Sequence, residues 1–124
     1  MPRVLIVDDQ PETAESLAEL VRLWGHQASI AGDGPSALEA TERLLPDVVV
    51  LDIGLPGMDG YEVARRLRAK AGGDQLVLVA LTGHGTDEHL REAEAAGFDH
   101  HVLKPIDFER LEALLVHPAR RPRL

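Results

Sequence analysis

Residues 3–9, RVLIVDD, set an unbroken apolar run, Val4 to Val7, directly against two adjacent aspartates, Asp8 and Asp9. Four consecutive apolar residues of strand length read as a β-strand covered on both faces, the pattern of a parallel sheet. The two carboxylates are less comfortable. Like charges held together in a low-dielectric pocket repel and raise each other's pKa. A pair placed where a buried strand meets a helix start calls for a compensating charge, and a cation is the obvious one.

Outward from this stretch the same unit repeats. Apolar runs of strand length occur at Arg3–Val7, Gln27–Ala31, Val48–Leu51, Leu76–Leu81 and His101–Leu103. The first, third and fourth are almost continuously Val, Leu and Ile. Helical periodicity fills the gaps. Pro11 to Trp24 carries Ala14, Leu17, Ala18, Val21 and Trp24 on one stripe, with Pro11 suited to a first helical turn and Gly25 to a helix end. Further helices are expected over Pro35–Leu45, Asp59–Ala71, Thr86–Ala96 and Asp107–Val116, the last with Asp107 as N-cap. Five strand–helix units in strict alternation predict right-handed crossovers and a parallel sheet with helices on both faces.

The bulk numbers fit one domain. The chain has 124 residues, 44% hydrophobic and only 3% aromatic, so its core must be built from Val, Leu, Ile and Ala. A formal net charge of −8 argues against direct binding of nucleic acid, whose phosphates select Lys and Arg. The absence of cysteine excludes disulfides and thiolate metal sites. With no leader and no long apolar span to read, the chain is expected to be cytoplasmic and to have no membrane partner. Residues 1–117 read as the domain, and residues 118–124 as a basic, proline-containing tail or linker.

In an open parallel α/β sheet, ligands bind beyond the carboxyl ends of the strands. That rule gathers Asp8 and Asp9 from the first strand, Asp52 from the third, Thr82 from the fourth and Lys104 from the fifth. Three carboxylates in one place suit a hard cation with oxygen ligands, and Mg²⁺ takes one or two carboxylates while keeping waters and phosphate oxygens. A carboxylate can be a nucleophile that forms an aspartyl phosphate. A transferring phosphoryl group needs its three oxygens positioned and neutralised, which a metal, Lys104, Thr82 and backbone N–H groups can do.

The pieces VDD (7–9), VVVLDIGLPGMDG (48–60), LTGHG (81–85) and LKP (103–105) together resemble the response-regulator receiver domains of two-component signalling, over about residues 3 to 116. The resemblance implies a doubly wound (βα)5, flavodoxin-like three-layer α/β sandwich with strand order 2-1-3-4-5. It implies that Asp52 accepts phosphate from a phosphohistidine on a histidine kinase. Asp9, Asp52 and the carbonyl of Gly54 would ligate Mg²⁺ or Mn²⁺, with Asp8 assisting through a water. Lys104 would contact a phosphoryl oxygen, and Thr82 would move toward it. The Lys104–Pro105 bond would be cis, against a general frequency of only about 5–6% for X-Pro bonds. Phosphorylation would change residues 86–96, 100–103 and 107–115, presented to a downstream effector by a monomer or weak dimer. The domain would catalyse its own phosphorylation and dephosphorylation, with no separate substrate turned over. A receiver within a hybrid histidine kinase, passing phosphate to a histidine phosphotransfer protein, is the alternative.

Two departures from the family's pattern stand out. His101 occupies the position three before the lysine where an aromatic switch residue is common, and a histidine there can also charge. Gly54 offers no side chain two residues after Asp52, whereas His84, two after Thr82, does; these positions tune dephosphorylation in the family. A phosphohydrolase using an aspartyl phosphate would want a general acid at position 54 and a cap domain, and a degenerate receiver would lack site residues. A pure capping role for Asp8 and Asp9, or a turn role for Asp52, explains each alone but not the set. Gly57 and Gly60 read as turn residues, and His26, His89 and His117 as surface positions. A metal site built from His84, His100 and His101 lacks any ligand-spacing motif.

Overall fold

The computed structural model describes residues 2–70, 72–83 and 85–119. Its elements alternate: β1 (Arg3–Val7), α1 (Pro11–Leu23), β2 (Gln27–Ala31), α2 (Gly34–Leu44), β3 (Val48–Asp52), α3 (Gly60–Ala69), β4 (Val77–Thr82), α4 (Asp87–Ala96), β5 (His100–Leu103) and α5 (Phe108–Val116). All strand pairings are parallel, and the order is β2-β1-β3-β4-β5. The expected α/β class and strand order are both present.

Why the sheet sits inside follows from the strands themselves. Every residue of β3 and β4 is buried, because these strands have helices on both faces and a strand on each side. The period of two divides their side chains between two cores. Leu5, Val7, Val49, Leu51, Leu78 and Ala80 pack under α2, α3 and α4. Val4, Ile6, Val48, Val50, Val79, Leu81 and Val102 pack under α1 and α5. Burying each such Val, Leu or Ile side chain stabilises the fold by about 1.5–3 kcal/mol before entropy is counted. The edge strands β2 and β5 are only partly covered, which is why their sequences are less uniformly apolar.

The expected boundaries shift by a residue or two, for identifiable reasons. Asp59, Thr86 and Asp107 are N-caps outside their helices, with side chains accepting from the amides of Glu62, His89 and Arg110. Helix α2 begins at Gly34, capped by Asp33, and ends at Leu44, with Leu45 as its C-cap at a left-handed φ of 50°, before Pro46 could act. Gln10, which caps α1, makes no side-chain cap bond. Strand β4 includes Thr82, and β5 begins at His100. A 3-10 turn at Gly73–Gln75 was not anticipated. Gly60 is more than a turn residue: a Cβ there would lie 2.6 Å from the Cα of Ile53, so α3 can start against the end of β3 only with glycine. Residues 120–124, most of the expected tail, lie outside the described residues, as does His84.

At the amino-terminal end of β4 and β5 lies a polar network that no motif announced. The Arg68 guanidinium donates to Asp99 Oδ2 at 2.7 Å and to the carbonyls of Gly73, Leu76 and Gly97. Asp99 Oδ2 also accepts from the amide of Leu78 at 2.9 Å. The pair is 10% and 3% exposed at its side chains. Before β2, at the other edge of the sheet, His26 corrects a surface assignment: both ring nitrogens are buried without a hydrogen-bond partner.

Candidate functional site

The carboxyl ends of β1, β3, β4 and β5 share one rim, and the expected residues meet there. Asp8 follows β1, Asp52 ends β3, Thr82 ends β4 and Lys104 follows β5. Carboxylate oxygens of Asp8, Asp9 and Asp52 all lie within 4.8 Å of one another. Asp8 and Asp52 are buried, while Asp9 is exposed. Asp8 Oδ1 accepts from the Gln10 amide at 2.9 Å, so this carboxylate also steadies the entry to α1.

Asp52 is held on both oxygens. Its Oδ1 accepts from the Gly54 amide at 2.9 Å, and its Oδ2 receives the Lys104 ammonium at 2.9 Å. Gly54 is exposed and leaves the carboxylate open: even a Cβ there would sit 3.6 Å from Oδ1, an ordinary contact. Thr82 is 5% exposed, and its carbonyl accepts from the Lys104 amide at 2.8 Å, which ties the fourth strand to the lysine. The Lys104–Pro105 peptide is cis, as the resemblance implied.

The electrostatics of this cluster are unbalanced. Burial pushes the Asp8 carboxyl above its ordinary value of 3.8, and the charges of Asp52 and Asp9 add to the rise, against the Gln10 hydrogen bond and Lys104. One ammonium faces three carboxylates. Every donor atom in the cluster is a carboxylate oxygen, so the set fits a hard divalent cation such as Mg²⁺ or Mn²⁺ and offers nothing to a soft one. Among the described residues it is the one grouping of three or more His, Cys, Asp or Glu with metal-like spacing; His100 and His101 belong to no such group.

Beside Asp52 opens a cleft of about 490 Å³, lined by Asp52, Gly54, Thr82 and Lys104 and walled by Asp59, Tyr61, His89 and Glu92. The last four were not singled out as site residues. His89, expected at the surface, is half-buried on this wall, with Nδ1 2.6 Å from the Thr86 hydroxyl. His89 and Glu92 are three residues apart, hence on one face of α4. His101 is half-buried on the edge strand β5, and burial lowers its pKa, as do Arg110 and His100, against Glu94. The Arg110 guanidinium donates to the His101 carbonyl at 3.0 Å.

Comparison with known proteins agrees with this geometry. The response regulator receiver domain family model matches residues 4–116. The chain is 42% identical over 116 residues to the probable transcriptional regulatory protein TcrX of Mycobacterium tuberculosis, covering 90% of this chain and 49% of that protein. It is 40% identical over 119 residues to the DNA-binding response regulator MtrA of Mycolicibacterium smegmatis, covering 96% and 51%. The chain thus spans about half the length of these relatives. Among solved structures, the chemotaxis protein CheY4 of Vibrio cholerae superposes with a TM-score of 0.89 at 26% identity, covering 96% of this chain and 99% of that one. The receiver domain of the sensor histidine kinase PA1611 of Pseudomonas aeruginosa, crystallised with magnesium in its active-site cleft, superposes with a TM-score of 0.83 at 27% identity, covering 92% and 93%.

Proposed function

The chain belongs to the response regulator receiver domain family of two-component signalling, and from that premise we propose that it is a phosphoacceptor switch whose acceptor is Asp52. The observation that carries this reading is the isolation of one carboxylate between a lysine and two further aspartates at the sheet rim. Asp9 and Asp52, with the Gly54 carbonyl, would hold Mg²⁺ or Mn²⁺, and Asp8 would act through a water. The ion would neutralise negative charge among the carboxylates and the incoming phosphoryl oxygens.

In the transfer, an Asp52 oxygen bonds to the phosphorus of a kinase phosphohistidine. The P–N bond breaks, and the imidazole nitrogen leaves and takes up a proton. Lys104 meets a phosphoryl oxygen in place of its present bond to Asp52 Oδ2, and the Thr82 hydroxyl offers a second donor. Hydrolysis reverses the state: water attacks phosphorus, the acyl–phosphate P–O bond breaks and Asp52 is regenerated. Because Lys104 and Thr82 sit at the ends of β5 and β4, their rearrangement would be passed to α4, β5 and α5, the surface read by a downstream partner. Similarity to transcriptional regulators supports an effector as that partner. Similarity to a sensor-kinase receiver supports the second reading, onward transfer to a histidine phosphotransfer protein.

The test is incubation with Mg²⁺ and acetyl phosphate, followed by intact-mass measurement. One phosphoryl adduct is expected on the wild-type chain, labile to hydroxylamine and missing from Asp52→Asn. An adduct that persists in Asp52→Asn, or turnover of an external phosphomonoester, would refute the assignment.

A further inference from the structure

The lining of the cleft carries a charge whose sign is unexpected for a pocket that must admit a phosphoryl group. Asp59 and Glu92 both line it, beyond the three aspartates of the cluster. Lys104 is the one Lys or Arg among the described lining residues. A divalent ion offsets two of the five carboxylates and Lys104 a third, so the mouth stays negative when the ion is bound. The field of the wall is felt by its own residues: burial raises the Tyr61 phenol pKa, and Glu92 and then Asp59 raise it further. Asp59 is committed to capping α3 through the Glu62 amide. Glu92 is exposed on α4 and makes no cap.

Resting on the phosphoacceptor reading above, we infer that Glu92, supported by Asp59, makes the cleft select phosphodonors by the charge of their leaving group. A donor with a P–N bond, such as phosphohistidine or phosphoramidate, releases a nitrogen that takes up a proton and leaves uncharged or cationic. An acyl phosphate releases a carboxylate, so negative charge develops at the leaving oxygen as the P–O bond breaks. Glu92 opposes that development and favours the nitrogen leaving group. Specificity of this kind comes from repulsion of the wrong substrate rather than added contacts to the right one. The acceptor chemistry itself does not depend on Glu92, which is a specificity residue and takes no part in bond making.

The experiment compares initial phosphorylation rates with phosphoramidate and with acetyl phosphate, both with Mg²⁺ at low salt, read by intact mass. Glu92→Gln is expected to lower the phosphoramidate-to-acetyl phosphate rate ratio about 1.5- to 2-fold and Glu92→Lys about threefold, chiefly by speeding acetyl phosphate. The difference from wild type should collapse at about 0.5 M KCl, where screening is short-ranged. Glu112→Lys, the same charge reversal on an exposed α5 position, should leave the ratio unchanged. A ratio unaltered in Glu92→Lys, or altered equally in Glu112→Lys, overturns the inference. A wild-type chain that takes phosphate from neither donor instead overturns the phosphoacceptor reading, and this one with it.

Discussion

Two polar clusters occupy opposite ends of the same sheet, and they are built on opposite terms. At the amino-terminal end of β4 and β5, Arg68 and Asp99 are nearly buried, and their hydrogen bonds reach three backbone carbonyls and an amide. At the carboxyl-terminal rim, three carboxylates share one ammonium, and the most buried of them is pushed toward protonation. A charge can be buried cheaply only when every partner is present. The base meets that condition from within the chain. The rim does not, and under the proposed function a cation from outside would supply the missing partner. That imbalance sets the rim apart as the candidate ligand site.

Breaking the base should do the most damage. Asp99→Ala leaves Arg68 buried without its carboxylate and the Leu78 amide without its acceptor, so it should cost about 3–5 kcal/mol in urea unfolding. A loss below 1 kcal/mol would show that the network is solvated and the contrast false.

The rim should respond in the other direction. Asp8→Asn keeps an oxygen for the Gln10 amide and removes a like charge, and should stabilise the ion-free protein by about 1 kcal/mol at neutral pH. The pH dependence has the matching sign. A carboxyl whose folded pKa is raised binds protons more readily folded than unfolded, so its contribution is favourable at low pH and is lost as pH rises through the folded value. In metal-free buffer the wild type should therefore lose stability relative to Asp8→Asn as pH rises above 3.8. Parallel stability–pH curves for the two proteins would contradict this.

Two smaller changes test whether the base end is otherwise well satisfied. His26→Leu removes two buried nitrogens that lack partners and should stabilise by about 0.5–1 kcal/mol, read as a higher urea midpoint. Leu45→Gly relieves a left-handed, 64% exposed leucine at the end of α2. The relief is partly offset by glycine's freedom in the unfolded chain, for a net gain of about 0.5 kcal/mol in the same assay.

The contrast also explains what is legible in the sequence alone. The central strands were legible because burial on both faces leaves only Val, Leu, Ile and Ala to choose from. The rim was legible because a topological rule places strand ends together, so Asp8, Asp9, Asp52, Thr82 and Lys104 could be gathered from four separate strand ends. Arg68 and Asp99 obey no such rule. They are 31 residues apart, one on a helix and one before a strand, and nothing in either segment signals the other. His26 looked like a surface residue because a polar side chain after a helix-ending glycine usually is one. His89 and Glu92 carried a usable signal, their spacing of three on α4, but its phase relative to the sheet could not be set from sequence. The helix starts expected at Asp59, Thr86 and Asp107 missed by one residue because a cap and a first helical residue are the same kind of signal at neighbouring positions.

The claim that the rim lacks a partner which a divalent ion supplies can be tested by urea unfolding at pH 7 with and without Mg²⁺. At ten times its dissociation constant, the ion should stabilise the wild type by about 1.4 kcal/mol. Asp9→Asn and Asp52→Asn should lose most of that gain, while Asp99→Ala should keep it. A wild type indifferent to Mg²⁺, or a gain that survives in Asp9→Asn and Asp52→Asn, would contradict the account.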